Sequence, residues 1–178
     1  MKRFLDLVQE RRSVRRFSER PVSNEEITDL LEAARLAPSA SNRQPWHFIV
    51  VKDEEKRREL AKISGNQRFV GEAPVVVAAI ALEPERVMTC EVPTYAVDLA
   101  IAVDHITLAA ADMGLGSCWI GKFHQDEAMR LLEVPAEYKV VALLPVGYPA
   151  DQPKEKSRKS KQAIASAEVF GCEWEETP

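Results

Sequence analysis

The sequence predicts a single soluble domain that mixes amphipathic helices with buried strands, and three observations carry that expectation. Its 178 residues, 46% hydrophobic and 29% charged, match one globular domain able to bury a core of its own. Two continuous apolar runs rich in β-branched residues, 74–82 and 139–147, read as strands covered on both faces. Ser23 and Glu26 form a capping box ahead of the stripe Ile27, Leu30, Leu31 and Ala34, which marks a helix packed on one side.

The remaining elements follow in order. Phe4, Leu5 and Val8 share one face of a predicted helix over 2–12, and the alternation after it places Ser13 and Arg15 on the same side of an extended segment. Pro38 ends the second helix. A strand is predicted over 47–51, and Asp53 then caps a charged helix over 54–63 with Leu60 and Ile63 inward. Residues 65–69 read as a loop, and 84–93 as a surface connection. Residues 95–113 form a long helix, apolar on almost every face. Asp98, Asp104 and Asp112 would each be costly at a bilayer centre, so this helix is expected in a core or a dimer interface rather than a membrane. His105 is expected to be packed or hydrogen-bonded there. Gly114 ends the helix; a short strand, a helix over 125–132 and the strand 139–147 follow. The tail, about 160–178, carries Ile164, Val169, Phe170 and Trp174, which predict docking on the body or on a second subunit.

Composition excludes several classes of function. The net charge of −4 argues against general nucleic-acid binding. Cys90, Cys118 and Cys172 are odd in number and lack a C-x-x-C pair, so neither a disulfide scaffold nor a zinc ribbon is indicated. Charge enters too early at the N-terminus for a signal peptide, and a cytoplasmic location is expected. No H-E-x-x-H, Walker A or G-x-S-x-G is present, and no metal site is expected. Such a chain fits an enzyme whose cofactor performs the chemistry, with no catalytic side chain of its own.

Three stretches can bind. Arg11, Arg12, Ser13 and Arg15 place guanidinium groups around a hydroxyl, as a phosphate clamp or a solvated basic turn would. A second basic run surrounds Lys156 and Arg158. Residues 37–51 set Ser39, Ser41, Asn42 and Gln44 between Pro38 and Pro45, either a plain turn or a loop that meets a planar heterocycle. Gly114, Gly116 and Gly121 do not make a dinucleotide turn, because their spacing and the helix-then-strand order are both wrong. Ile120, Gly121 and Lys122 instead leave backbone N–H groups open to a ligand.

Together these blocks, Arg11-Arg12-Ser13-Val14-Arg15, Pro38 to Trp46, Gly114 to Gly121 and Lys156-Ser157-Arg158, resemble the FMN-dependent nitroreductase family over about residues 2–160. The resemblance implies an α+β fold, with a central mostly antiparallel sheet flanked by helices, and a homodimer with FMN at the interface. By motif position, Arg11, Arg12, Ser13, Arg15, Lys156 and Arg158 would hold the phosphate and ribityl chain. Pro38, Ser39, Ser41 and Asn42 would reach the ring from the other subunit, with Gln44 near the ribityl and ring edge. Ile120 and Gly121 would face flavin N5 and O4. Relatives bind the pyrimidine edge through an Asn and a Lys with no clear counterpart here; Asn66, Gln67 or Arg68 is left for that role, and Gln67 is counted among the cofactor contacts. Gly121 also stands where many members carry Glu.

The implied activity is ping-pong hydride transfer from NAD(P)H through the flavin to a small-molecule acceptor such as a nitroaromatic or quinone. Reductive dehalogenation and flavin fragmentation occur in relatives and are the alternatives, ahead of a non-redox module for anions or nucleic acid.

Overall fold

The computed structural model describes residues 3–151 and 156–174. Four strands form one sheet in the order β1-β2-β4-β3: β1 Trp46–Val51, β2 Val75–Ala81, β3 Gly116–Ser117 and β4 Lys139–Gly147. Every strand pair is antiparallel, as an α+β domain requires. Around it lie α1 Phe4–Glu10, α2 Asn24–Arg35, α3 Glu54–Ile63, α4 Arg68–Glu72, α5 Thr94–Asp112 and α6 Gln125–Leu131.

β2 is buried at every position, the consequence of helices on both faces. Its Val75, Val77, Ala79 and Ala81 join Ala142, Leu144 and Val146 of β4 in a core with α2 and α5. Val76, Ala78 and Ile80 point the other way, toward Leu60, Val70 and Ala128 of α3, α4 and α6. The two-residue period of the strand thus divides one apolar run between two cores. A register shift between Ala79 and Ile80 lets Val140 and Leu143 of β4 serve the second core while Ala142 serves the first.

The predicted caps form. Ser23 Oγ accepts from the Glu26 N–H at 3.1 Å, and Glu26 Oε2 accepts from the Ser23 N–H at 2.7 Å, while Asp53 accepts from the Lys56 N–H at 2.8 Å. Gly114 ends α5 with φ of 75°, and His105 Nδ1 lies 3.2 Å from the Ala33 carbonyl. α5 is long and apolar enough to cross a membrane, but Leu99, Ala102, Val103, Ile106 and Ala110 of its inner face build the first core.

Three expectations need correction. α1 is shorter than predicted, and Phe4, Leu5 and Val8 are exposed on it. Residues 68 and 69, read as the end of a loop, open α4 (Arg68–Glu72), whose five residues give too little periodicity to detect. The predicted strand ending at Ile120–Lys122 is two residues long, after which Ile120 makes a single bridge to Leu143. In the tail, Ile164, Val169 and Phe170 are exposed on this chain. Lys154 and Glu155 of the second basic run, and residues 175–178, lie outside the described residues.

Candidate functional site

Both ends of the chain build a cationic cradle. The segment after α1 threads beside the sheet: the Val14 N–H donates to the Ser117 carbonyl at 2.9 Å, the Ser18 N–H to Tyr148 at 2.8 Å and the Ala150 N–H to Arg16 at 2.9 Å. Val14 is buried and its neighbours Ser13 and Arg15 are exposed, the alternation predicted from sequence. Lys156 closes the cradle by donating to the backbone carbonyls of Gln9 and Arg11. Arg12 donates to the carbonyl and a carboxylate oxygen of Asp151, at 2.8 and 3.1 Å.

Arg11, Arg12, Lys156 and Arg158 line one cleft of about 910 Å³. Arg12 pairs with Asp151, and the Arg158 guanidinium donates to the Ser157 carbonyl. Burial pushes the Lys156 ammonium below the ordinary lysine value, and the charges of Arg11, Arg158 and Arg12 push it further. Four cations share this cleft with two carboxylates, Glu10 and Asp151, and such an excess of positive charge suits an anion.

Ile120 and Gly121 follow β3, whose Gly116 and Ser117 line the cleft. Ile120 exchanges hydrogen bonds with Leu143 at 2.9 and 3.0 Å, which fixes the backbone just before Gly121. A Cβ built on Gly121 would meet only Trp119 Nε1, at 3.9 Å; the space over it is open. Cys118, three residues before Gly121, is buried and lies near Ser13, Arg15 and Arg11. Burial raises its thiol pKa, opposed by Arg15, Ser13 and Arg11. Lys122 passes over Gly65, whose absent Cβ would lie 3.1 Å from Lys122 Cε. The loop holding Gln67 therefore borders the same region; Gln67 Nε2 donates to the Ser64 carbonyl at 2.8 Å.

The third predicted stretch stands apart. After Pro38, residues Ala40–Asn42 make one 3-10 turn, and Ser41, Asn42 and Gln44 have φ of 54°, 52° and 52°. Ser39 Oγ accepts from the Gln44 N–H at 2.9 Å, and Gln44 Nε2 donates to the Asn42 carbonyl at 3.0 Å. The Ala40 N–H donates to Asp98 of α5 at 2.9 Å. The cradle's cleft is lined by Thr107 and Ala111 of that helix, 9 and 13 residues further on, or about 14–20 Å along its axis at 1.5 Å per residue. No hydrogen bond or ion pair among the described residues joins loop to cradle.

A sequence model described as the nitroreductase family matches residues 8–148, the span that holds the clamp segment, the loop and the Gly121 segment. The chain belongs to the nitroreductase family. A protein of Archaeoglobus fulgidus, whose name pairs NADH dehydrogenase with NAD(P)H nitroreductase, is 35% identical over 156 residues, covering 85% of this chain and 88% of its own. An FMN reductase [NAD(P)H] of Bacillus subtilis is 31% identical over 176 residues, covering 89% and 71%. Among solved structures, the FMN-dependent nitroreductase of Clostridium difficile R20291 superposes with a TM-score of 0.83 at 28% identity, over 93% of this chain and 99% of that one. NfrA2 of B. megaterium gives 0.87 at 27%, over 96% and 76%. The nitroreductase fold, with its mixed helices and antiparallel sheet, is thereby established for this member.

Sequence reading missed Asp98, taken only as a polar interruption of a long apolar helix. A carboxylate in such a run was the available signal, since an acidic side chain that faces a core is seldom kept there without a partner.

Proposed function

We propose that this nitroreductase-family chain is an FMN-dependent NAD(P)H oxidoreductase, built as one domain over 1–178 and active as a homodimer. The observation that carries the reading is the cleft in which Arg11, Arg12, Lys156 and Arg158 outnumber Glu10 and Asp151, with the open backbone of Gly121 following the strand that lines it. A phosphate fits the first and a ring edge the second.

In this reading Arg11, Ser13, Arg15, Lys156 and Arg158 hold the phosphate and ribityl chain, and Arg12 acts through Asp151 to fix the cradle's rim. Ile120 and Gly121 present their backbone to the ring, and Gln67 serves its pyrimidine edge. Bound FMN supplies hydride chemistry at N5. The chain contributes binding, orientation and fixed positive charge, and no side chain serves as acid or base. Donor and acceptor use the site in turn, the acceptor being a small molecule such as a nitroaromatic or quinone.

Two observations support the homodimer. Pro38, Ser39, Ser41, Asn42 and Gln44 sit at the far end of α5 from their own chain's cradle, with no hydrogen bond or ion pair to it among the described residues, and in this reading they serve a second copy's. Phe4, Leu5 and Val8 on α1 and Ile164, Val169 and Phe170 in the tail offer apolar surface to that copy.

The visible spectrum of the purified protein tests the reading, followed by anaerobic titration with NADH and NADPH and a screen of acceptors. Protein that stays colourless and takes up no FMN overturns it. A monomeric mass by light scattering overturns the dimer alone.

A further inference from the structure

We propose that Asp98 is the positioning residue of the ring-facing loop, holding Ser39–Gln44 in a shape the loop would not keep by itself. The proposal rests on the flavin-site reading for what the loop faces, and on this chain's geometry for how it is held.

The loop is strained. Ser41, Asn42 and Gln44 all sit in the left-handed region, where an L side chain crowds the backbone and residues other than Gly, Asn and Asp seldom settle. Such conformations persist where surrounding contacts over-determine them. Most contacts here are internal to the loop: Ser39 Oγ with the Gln44 N–H, and Gln44 Nε2 with Asn42. Arg43 forks onto Glu83 through two bonds, but this pair sits at the surface, 47% and 32% exposed, and holds the far side of the loop rather than its start. Asp98 is different in kind. It projects from the core helix α5, is 2% exposed, and accepts the Ala40 N–H at the start of the 3-10 turn.

The carboxylate is also costly where it stands. Its second oxygen, Oδ2, is buried and finds no partner among the described residues, and neither does the buried Thr94 Oγ1. Thr94 lies one turn earlier on the same face of α5. An apolar side chain would suit packing at position 98 better than a half-satisfied carboxylate does. Stability therefore does not account for Asp98, whereas an anchor for the loop does.

Three variants of the full chain test this: Asp98→Leu, Asp98→Asn and Asp98→Ala. Each is read by melting temperature, by amide hydrogen exchange over 39–44 in flavin-free protein, and by FMN affinity. Asp98→Leu should melt no lower than the parent, while exchange across 39–44 accelerates at least tenfold and FMN binds at least tenfold more weakly. Asp98→Asn, whose carboxamide oxygen can still accept the Ala40 N–H, should recover most of both. Asp98→Ala should match Asp98→Leu in the loop and melt lower, through lost packing. Exchange within twofold of the parent in Asp98→Leu overturns the proposal, as does an Asp98→Asn that resembles Asp98→Leu. Should Asp98→Leu fail to fold, Asp98→Asn decides: protection and affinity near the parent uphold the anchor, and loss of both overturns it. If the parent binds no FMN, the flavin reading fails while the exchange measurements still judge the anchor; if the parent binds FMN and Asp98→Leu binds it equally well with a loosened loop, the inference about the site fails alone.

Discussion

Val14 occupies the space a side chain at position 116 would need: a Cβ on Gly116 would fall 2.3 Å from Val14 Cγ2 and 2.7 Å from its Cβ. Val14 is β-branched, fully buried and flanked by Ser13 and Arg15, so it has little room to rotate away. Gly116→Ala should destabilise the fold by about 1–3 kcal/mol, the usual cost of overpacking. The displaced segment carries the clamp, so FMN affinity should fall with it. Adding Val14→Ala should restore part of both, a coupling that a double-mutant cycle in thermal unfolding and flavin titration would reveal.

Gly121 predicts the opposite pattern. With open space around its missing Cβ and no positive φ recorded for it, Gly121→Val should change stability by no more than about 0.5 kcal/mol. In the proposed flavin site, binding should nonetheless weaken at least tenfold, because the side chain would stand where the ring is proposed to lie. Melting curves and flavin titrations, run side by side, check the split.

Arg15 and Arg158 should differ from Arg12, which is tied to Asp151. Arg15→Ala and Arg158→Ala each remove a charge-assisted contact worth about 1.5–3 kcal/mol, so FMN should bind about ten- to a hundredfold more weakly with the melting temperature little changed. Arg12→Ala breaks the tie to Asp151 and should lower the melting temperature more than the affinity. Calorimetric titration with FMN and a thermal scan separate the two outcomes.

The depressed Lys156 pKa gives a pH signature. Only the protonated amine attracts phosphate, so FMN affinity should decline as pH rises through its lowered value, earlier on the alkaline side than an ordinary lysine would allow. Lys156→Arg should remove this limb, since a guanidinium stays charged throughout. Affinity measured from neutral to alkaline pH for both proteins is the test.

Tyr148 donates to the Glu26 carboxylate, and this bond is the foremost cause that lowers the Glu26 pKa. A carboxylate whose folded value lies below its unfolded one adds stability above the unfolded value and loses it as pH falls through the folded one. Tyr148→Phe should therefore lower stability slightly at neutral pH, the pair being solvated, and the difference should vanish in acid. Denaturant titrations across the acid range give the answer.

Much of this was legible in the sequence, for physical reasons. β2 and β4 announced themselves because a strand covered on both faces must be apolar throughout, and the caps of α2 and α3 because backbone N–H groups need oxygen at a fixed offset. Arg11 to Arg15 and Lys156 to Arg158 were visible as two basic runs, but nothing local says that residues 145 apart share one cleft. α4 escaped because five residues show no period. Asp98 escaped because its meaning lies in a hydrogen bond to Ala40, a contact across 58 positions.

Phe170 stands fully exposed on the lone chain, with Ile164 and Val169 nearby in sequence and the apolar face of α1 equally bare. If a second copy covers them, the thermodynamics of folding and of assembly become one equilibrium, and the midpoint of thermal unfolding should climb with protein concentration. A freshly synthesised chain would then be most vulnerable while it is dilute, before it has met its counterpart.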